Sequence, residues 1–119
     1  MIDPDVIDAL LDAVDGDREF LGELIETWLD DAPRQLALIE AAAADGDAGD
    51  LVTPAHTLKS TSASLGAMEV AELARVMEHQ ARTGTPADPE TVTRLRTSIL
   101  GASDGLRAIA AHGREDGSG

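Results

Sequence analysis

The sequence predicts an all-α protein: an antiparallel up-and-down four-helix bundle with an additional short N-terminal helix. Three observations carry this. Apolar residues recur at three- and four-residue spacings through five segments. Short Gly-, Asp- and Pro-containing turns join the segments, which makes consecutive helices antiparallel neighbours. Alanine and leucine dominate, tyrosine is absent and β-branched residues are scattered, so nothing favours a sheet.

The first segment spans about Pro4 to Val14, with Asp3 as N-cap and Pro4 at the first helical position. Val6, Ile7, Leu10, Leu11 and Val14 form its apolar stripe, and Asp15-Gly16-Asp17 ends it. The second is long, from about Arg18 to Ala44. Phe20, Leu21, Leu24, Ile25, Trp28, Leu29, Leu36, Ile39 and Ala43 are its expected inward residues, and Pro33 predicts a bend. The turn Asp45-Gly46-Asp47-Ala48-Gly49-Asp50 alternates acids as a calcium loop does. Counted from Asp45, however, the required Gly and Glu are replaced by Asp50 and His56, so a solvated turn is expected. The third segment spans about Leu51 to Leu65 with Gly66 closing it, and Leu51, Ala55, Leu58, Ser62 and Leu65 face inward. Pro54 either bends this helix or starts it afresh with Thr53 as N-cap. The fourth spans about Met68 to Arg82, with Val70, Leu73, Ala74, Met77 and Ala81 inward. The fifth starts at Asp88-Pro89 and turns Val92, Leu95, Ile99, Leu106 and Ile109 inward. The first helix is expected to cap one end of a bundle made by the other four. Residues 1–113 read as one domain and 114–119 as a polar, disordered tail.

Composition excludes several function classes. The chain has 119 residues, 43% of them hydrophobic, enough for one packed core. It has no cysteine, so thiol catalysis, thiolate metal sites and disulfides are absent. The net charge of -14 opposes binding to nucleic acid and to anionic membranes. No apolar run approaches the roughly 20 residues of a membrane span, and the acidic N-terminus is unlike a signal peptide, so a cytoplasmic location is expected. There is no phosphate-cradling Gly-rich loop, no H-E-x-x-H motif and no paired Glu-x-x-His as in metal-binding bundles.

Three histidines remain as candidates for chemistry. His79 falls on the side of its helix opposite Val70 and Met77 and reads as a surface residue. His112 sits near a helix C-terminus, where it complements the macrodipole. His56 stands beside the apolar stripe of the third helix. Lys59, Ser60 and Ala63 follow it on the same face at i+3, i+4 and i+7. Two of these are small and leave the imidazole open to an approaching surface. The cation suits a histidine that carries a dianionic group.

The stretch Ala55-His56-Thr57-Leu58-Lys59-Ser60-Thr61-Ser62-Ala63-Ser64-Leu65-Gly66-Ala67 closely resembles the phosphoacceptor motif of histidine phosphotransfer domains, in which H-x-x-K precedes small residues and then L-G. Phe20 to Pro33 is similar to that family's long second helix and Leu73 to Arg82 to its following helix, so about 90 residues are covered, from roughly Asp17 to Leu106. Ser60 departs from the Gly that many members have, and Pro54 from their helix-forming residue.

The resemblance implies a function. His56 would take a phosphoryl group on Nε2 and exchange it with an aspartate on a response-regulator receiver domain. Lys59 would neutralise phosphate oxygens, and Ser60 and Ala63 would give clearance. Glu78 stands 22 residues after His56, where the family commonly has Gln, and would orient the imidazole through Nδ1. Val6, Ile7 and Leu10 would be part of an exposed docking surface. No cofactor is expected on this chain; magnesium would sit on the receiver. Without a nucleotide site the domain would not phosphorylate itself, so its expected partners are receivers or a hybrid histidine kinase, met as a monomer. The alternatives are a phosphoacceptor domain excised from a chemotaxis-type kinase, and a non-catalytic helical adaptor.

Overall fold

The computed structural model describes residues 2–118, with side chains for 2–111. Its elements are α1 (Pro4–Ala13), α2 (Arg18–Asp45), α3 (Gly49–Ser64), α4 (Met68–Arg82) and α5 (Pro89–Ser118), with no strand among the described residues. α2 to α5 form the antiparallel bundle. The expected tail at 114–119 and the role of His112 fall outside the described side chains.

Most helix starts are set by an aspartate. The carboxylates of Asp3, Asp17 and Asp88 accept the backbone N–H groups of Asp5, Phe20 and Thr91 at 3.0, 3.0 and 2.8 Å. α3 begins two residues earlier than expected, because Asp47 accepts the N–H of Asp50 at 3.1 Å and caps it. The acidic turn is therefore a capping turn. α3 runs unbroken through Pro54, which is buried, so Thr53 is not an N-cap. α2 also continues across Pro33, whose exposure lets water serve the carbonyl four residues back.

Ile25 and Ile39 of α2, Leu51 and Leu58 of α3, Met77 of α4, and Leu95 and Leu106 of α5 are the large residues at the centre. Truncating a fully buried Leu of this kind to Ala costs about 2–5 kcal/mol. All five expected inward residues of α3 are buried. Trp28 and Ser62 are both buried, and the indole N–H donates to the Ser62 hydroxyl oxygen at 3.0 Å. That bond gives the one tryptophan a partner for its polar edge. Phe20 corrects the expected stripe of α2: it is 42% exposed. It stands 100° round the helix from Leu21, and it is Leu21 that lines up with Ile25 and Trp28.

α1 lies at the end of the bundle where α3 turns into α4. The Asp3 N–H donates to the Gly66 carbonyl at 2.8 Å, Ile2 packs beside Gly105 of α5, and Ile7 is buried. Ile7 therefore belongs to the core and cannot belong to an exposed docking surface.

Candidate functional site

α3 and α4 make the most extensive helix–helix contact of the bundle. Small residues let them approach: Ala55 and Ser62 on α3 and Ala71, Ala74 and Ala81 on α4 are all buried. Ala67 lies in the turn between them, and His56 and Glu78 stand eleven residues to either side of it. Antiparallel helices of equal rise bring two such residues level with one another. The spacing of 22 residues is thus the geometry of this hairpin.

His56 Nδ1–H donates to Glu78 Oε2 at 3.0 Å. The His56 side chain is 56% exposed, whereas that of Glu78 is 6% exposed. Nε2 makes no hydrogen bond among the described residues. A carboxylate that accepts at Nδ1 selects the tautomer protonated there, which leaves the Nε2 lone pair turned away from Glu78.

Glu78 is also held by cations. Lys59 Nζ lies 2.6 Å from Oε1, and Arg82 donates to Oε2 from Nη2 at 2.6 Å and from Nε at 3.0 Å. Four donors thus meet two oxygens, matching the roughly four acceptor positions of a carboxylate. The hydrogen bonds from Lys59 and then Arg82 pull the Glu78 carboxyl down to about 2; burial opposes them and the His56 bond adds to them. Glu78 is therefore ionised at any ordinary pH. It is no solvated surface acid, although its helix is otherwise amphipathic.

Ser60 is exposed and Ala63 half-buried, both on the His56 face of α3. Lys59 is one turn from His56 as expected, but it is ion-paired to Glu78. Arg82 was not foreseen, although a Glu followed by an Arg four residues later is a readable helical pair. Lys59, Arg75, Glu78, His79 and Arg82 line one shallow depression, with Arg75 held by Glu72 at 2.6 Å. Three of the nine Lys and Arg residues, Lys59, Arg75 and Arg82, thus line the depression around Glu78, the partner of His56, in a chain of net charge -14. This is where an incoming dianion meets the least repulsion.

On another side of α3 an apolar cleft of about 210 Å³ opens among Leu10, Leu24, Trp28, Thr61 and Leu65. Leu10 and Val6 are half-buried. No cluster of three metal-ligating side chains occurs among the described residues, and no helix is long and apolar enough to cross a membrane.

Comparison with known proteins supplies the family. No curated protein matches the chain. The fold is similar to the crystal structure of histidine-containing phosphotransfer protein B (HptB) from Pseudomonas aeruginosa PAO1, with a TM-score of 0.84 and 22% identity over 93% of this chain and 95% of that one. The family model of the Hpt domain matches residues 23–105, which is well over half of the chain and contains His56, Lys59, Glu78 and Arg82. The chain belongs to the Hpt domain family, the histidine phosphotransfer domains of phosphorelay signalling.

Proposed function

We propose that His56 is the phosphoryl carrier and that Nε2 is its reacting atom. The observation that carries this is the half-exposed imidazole anchored at Nδ1 by Glu78, with Nε2 unbonded. In the accepting step the Nε2 lone pair attacks phosphorus of an aspartyl phosphate on a receiver domain. The P–O bond to the aspartate breaks, and the carboxylate leaves with the electron pair. The ring gains positive charge while its proton stays on Nδ1, still donated to the Glu78 carboxylate, so no proton needs to move. The reverse step returns the phosphoryl group to an aspartate and the ring to its neutral form.

Phosphoryl transfer needs placement and charge stabilisation more than covalent machinery. Lys59 is within reach to trade Glu78 for phosphate oxygens once they arrive, and Ser60 and Ala63 leave room for the receiver. The chain supplies no cofactor; magnesium and the acidic residues around it belong to the receiver. The partners are receiver domains and the hybrid kinases that carry them, met by a monomer in the cytoplasm.

The test is uptake of label from a phosphorylated receiver with magnesium. Wild type should acquire acid-labile, base-stable phosphate and His56→Gln none. Lys59→Ala should slow transfer without abolishing it, since such a cation contributes about 1 kcal/mol. Uptake by His56→Gln equal to wild type would remove His56 from the role. Failure of wild type with every cognate donor would favour a non-catalytic adaptor.

A further inference from the structure

A carboxylate hydrogen-bonded to an imidazole has two opposed effects. It holds the ring in the tautomer that exposes Nε2, and it stabilises the protonated ring, which has no lone pair to attack with. A neutral amide at the same place would orient the ring without the second effect. This chain has a glutamate there, and the glutamate is never alone. Glu78 Oε2, the oxygen that accepts from His56, also accepts both Arg82 bonds, while Lys59 holds the other oxygen.

We propose that Arg82 is a positioning residue for the transfer reaction: by engaging the His56-facing oxygen of Glu78, it offsets the carboxylate charge so that Glu78 orients the imidazole without holding it protonated.

The geometry assigns this to Arg82 more than to Lys59. Lys59 sits on the oxygen turned away from Nδ1, and it is the cation best placed to leave for the phosphoryl group. Arg82 is one helical turn from Glu78, so the same helix fixes their contact whatever happens at α3. Its guanidinium keeps its charge at all relevant pH values. When a dianionic phosphoryl group draws Lys59 away, Arg82 is the cation that remains on Glu78.

The other charged groups around His56 do not supply this compensation. Its own helix offers Lys59 as its one cation, and its other charged residue, Asp50 in the first turn, is an acid that cannot offset Glu78. α4 brings Glu78 and Arg82, then Arg75, which is tied to Glu72, and the exposed His79. α2, packed on another side of α3, brings Asp31 to the cleft lined by Thr61 and Ser64, and an acid there cannot offset Glu78. Removing Arg82 therefore leaves a net increase of negative field at His56.

The inference rests on His56 being the carrier, but its first readout does not need phosphate. The titration of His56 is followed by NMR of its ring C–H in the full chain, as wild type, Arg82→Gln, Arg82→Lys, Glu78→Gln and the Arg82→Gln/Glu78→Gln double variant. Arg82→Gln should move the midpoint upward by about half a unit to one unit, the scale expected for a half-exposed charge near a titrating ring. Arg82→Lys should restore most of the wild-type midpoint. The shift should be at least halved in the Glu78→Gln background, where nothing anchors Arg82 beside the ring. The second readout is phosphate acceptance against pH: the Arg82→Gln profile should be displaced to higher pH and reach wild-type rates on its alkaline side. An unchanged midpoint in Arg82→Gln, or an equal shift with and without Glu78, overturns the inference even if wild type accepts phosphate normally. A purely structural role would lower the rate at every pH and leave the midpoint in place. If wild type takes up no phosphate while the midpoints move as stated, the carrier role fails and the coupling between Arg82, Glu78 and His56 stands.

Discussion

Replacing Gly66 by alanine should destabilise the protein well beyond what its backbone angle demands, and Gly84 is the internal control. Both glycines close a helix in the same way. At the end of α3, Ala67 N–H donates to the Ser62 carbonyl and Gly66 N–H to the Ala63 carbonyl; at the end of α4, Thr85 N–H donates to Gln80 and Gly84 N–H to Ala81. Both lie at positive φ, 78° and 89°. A Cβ in that region costs about 1–2 kcal/mol. At Gly84 the Cβ would meet nothing within 4 Å. At Gly66 it would stand 2.9 Å from the Asp3 carbonyl oxygen, 3.2 Å from the Asp3 nitrogen and 3.2 Å from Val6 Cβ. Two of these are backbone atoms, which cannot swing aside as a side chain can. Relief requires the start of α1 to lift, which breaks the Asp3–Gly66 hydrogen bond, about 1 kcal/mol. It also loosens Ile2 and Ile7, each worth about 1.5–3 kcal/mol if fully exposed. Gly84→Ala should therefore cost about 1 kcal/mol and Gly66→Ala roughly 2–4 kcal/mol, since the isoleucines are only partly uncovered. Urea unfolding followed by far-UV circular dichroism and by Trp28 fluorescence measures both. Equal losses in the two variants, within about 0.5 kcal/mol, would refute the claim that Gly66 is required by the approach of α1.

Three further outcomes follow from the same structure. The folded-state pKa of Glu78 is depressed from its ordinary 4.5 to about 2, so the stability it contributes is complete above about 4.5 and is lost as pH falls toward 2. The stability difference between wild type and Glu78→Gln should accordingly be large at pH 7 and shrink across that window in acid; a difference that is flat from pH 7 to pH 2.5 would sink the assignment. Ser62→Ala should cost about 1–3 kcal/mol by leaving the buried Trp28 N–H without an acceptor, seen as a lower urea midpoint, whereas a neutral effect would mean that the bond contributes nothing. His79→Ala should accept phosphate at the wild-type rate, because His79 is exposed and makes no hydrogen bond or ion pair with His56 or Glu78; loss of acceptance in that variant would mean that the roles of the histidines have been misassigned.

The fold was legible where local rules and tertiary packing agree. α4 is read to the residue as Met68–Arg82, since the L-G turn before it and Thr83-Gly84 after it are both strong signals. α3 was read two residues short, because the signal that starts it is an aspartate hidden among three acids of one turn. The phase errors at Phe20 and Ile7 have one cause. A stripe wide enough to include both edges does not say which edge a neighbouring helix covers. At the site, His56, Lys59 and Ser60 share a face by i, i+3 and i+4 spacing, which needs no tertiary knowledge. Glu78 was reachable only through the family resemblance, because its meeting with His56 depends on where the hairpin turns. The ion pair from Lys59 to Glu78 lay beyond reach for the same reason. Arg82 was within reach as the i+4 partner of Glu78, and was missed because nothing local marks Glu78 as buried.

The central claim is that the phosphoryl group resides on Nε2 of His56, with Nδ1 still bound to Glu78. Long-range proton–nitrogen NMR of the ¹⁵N-labelled protein, before and after phosphorylation by a receiver domain with magnesium, tests it directly. Before the reaction, the His56 ring should show a protonated Nδ1 and an unprotonated Nε2. After it, the Nε2 resonance should be the one displaced, with coupling to phosphorus. Phosphorus coupling at Nδ1, or on the ring of His79, would contradict the account.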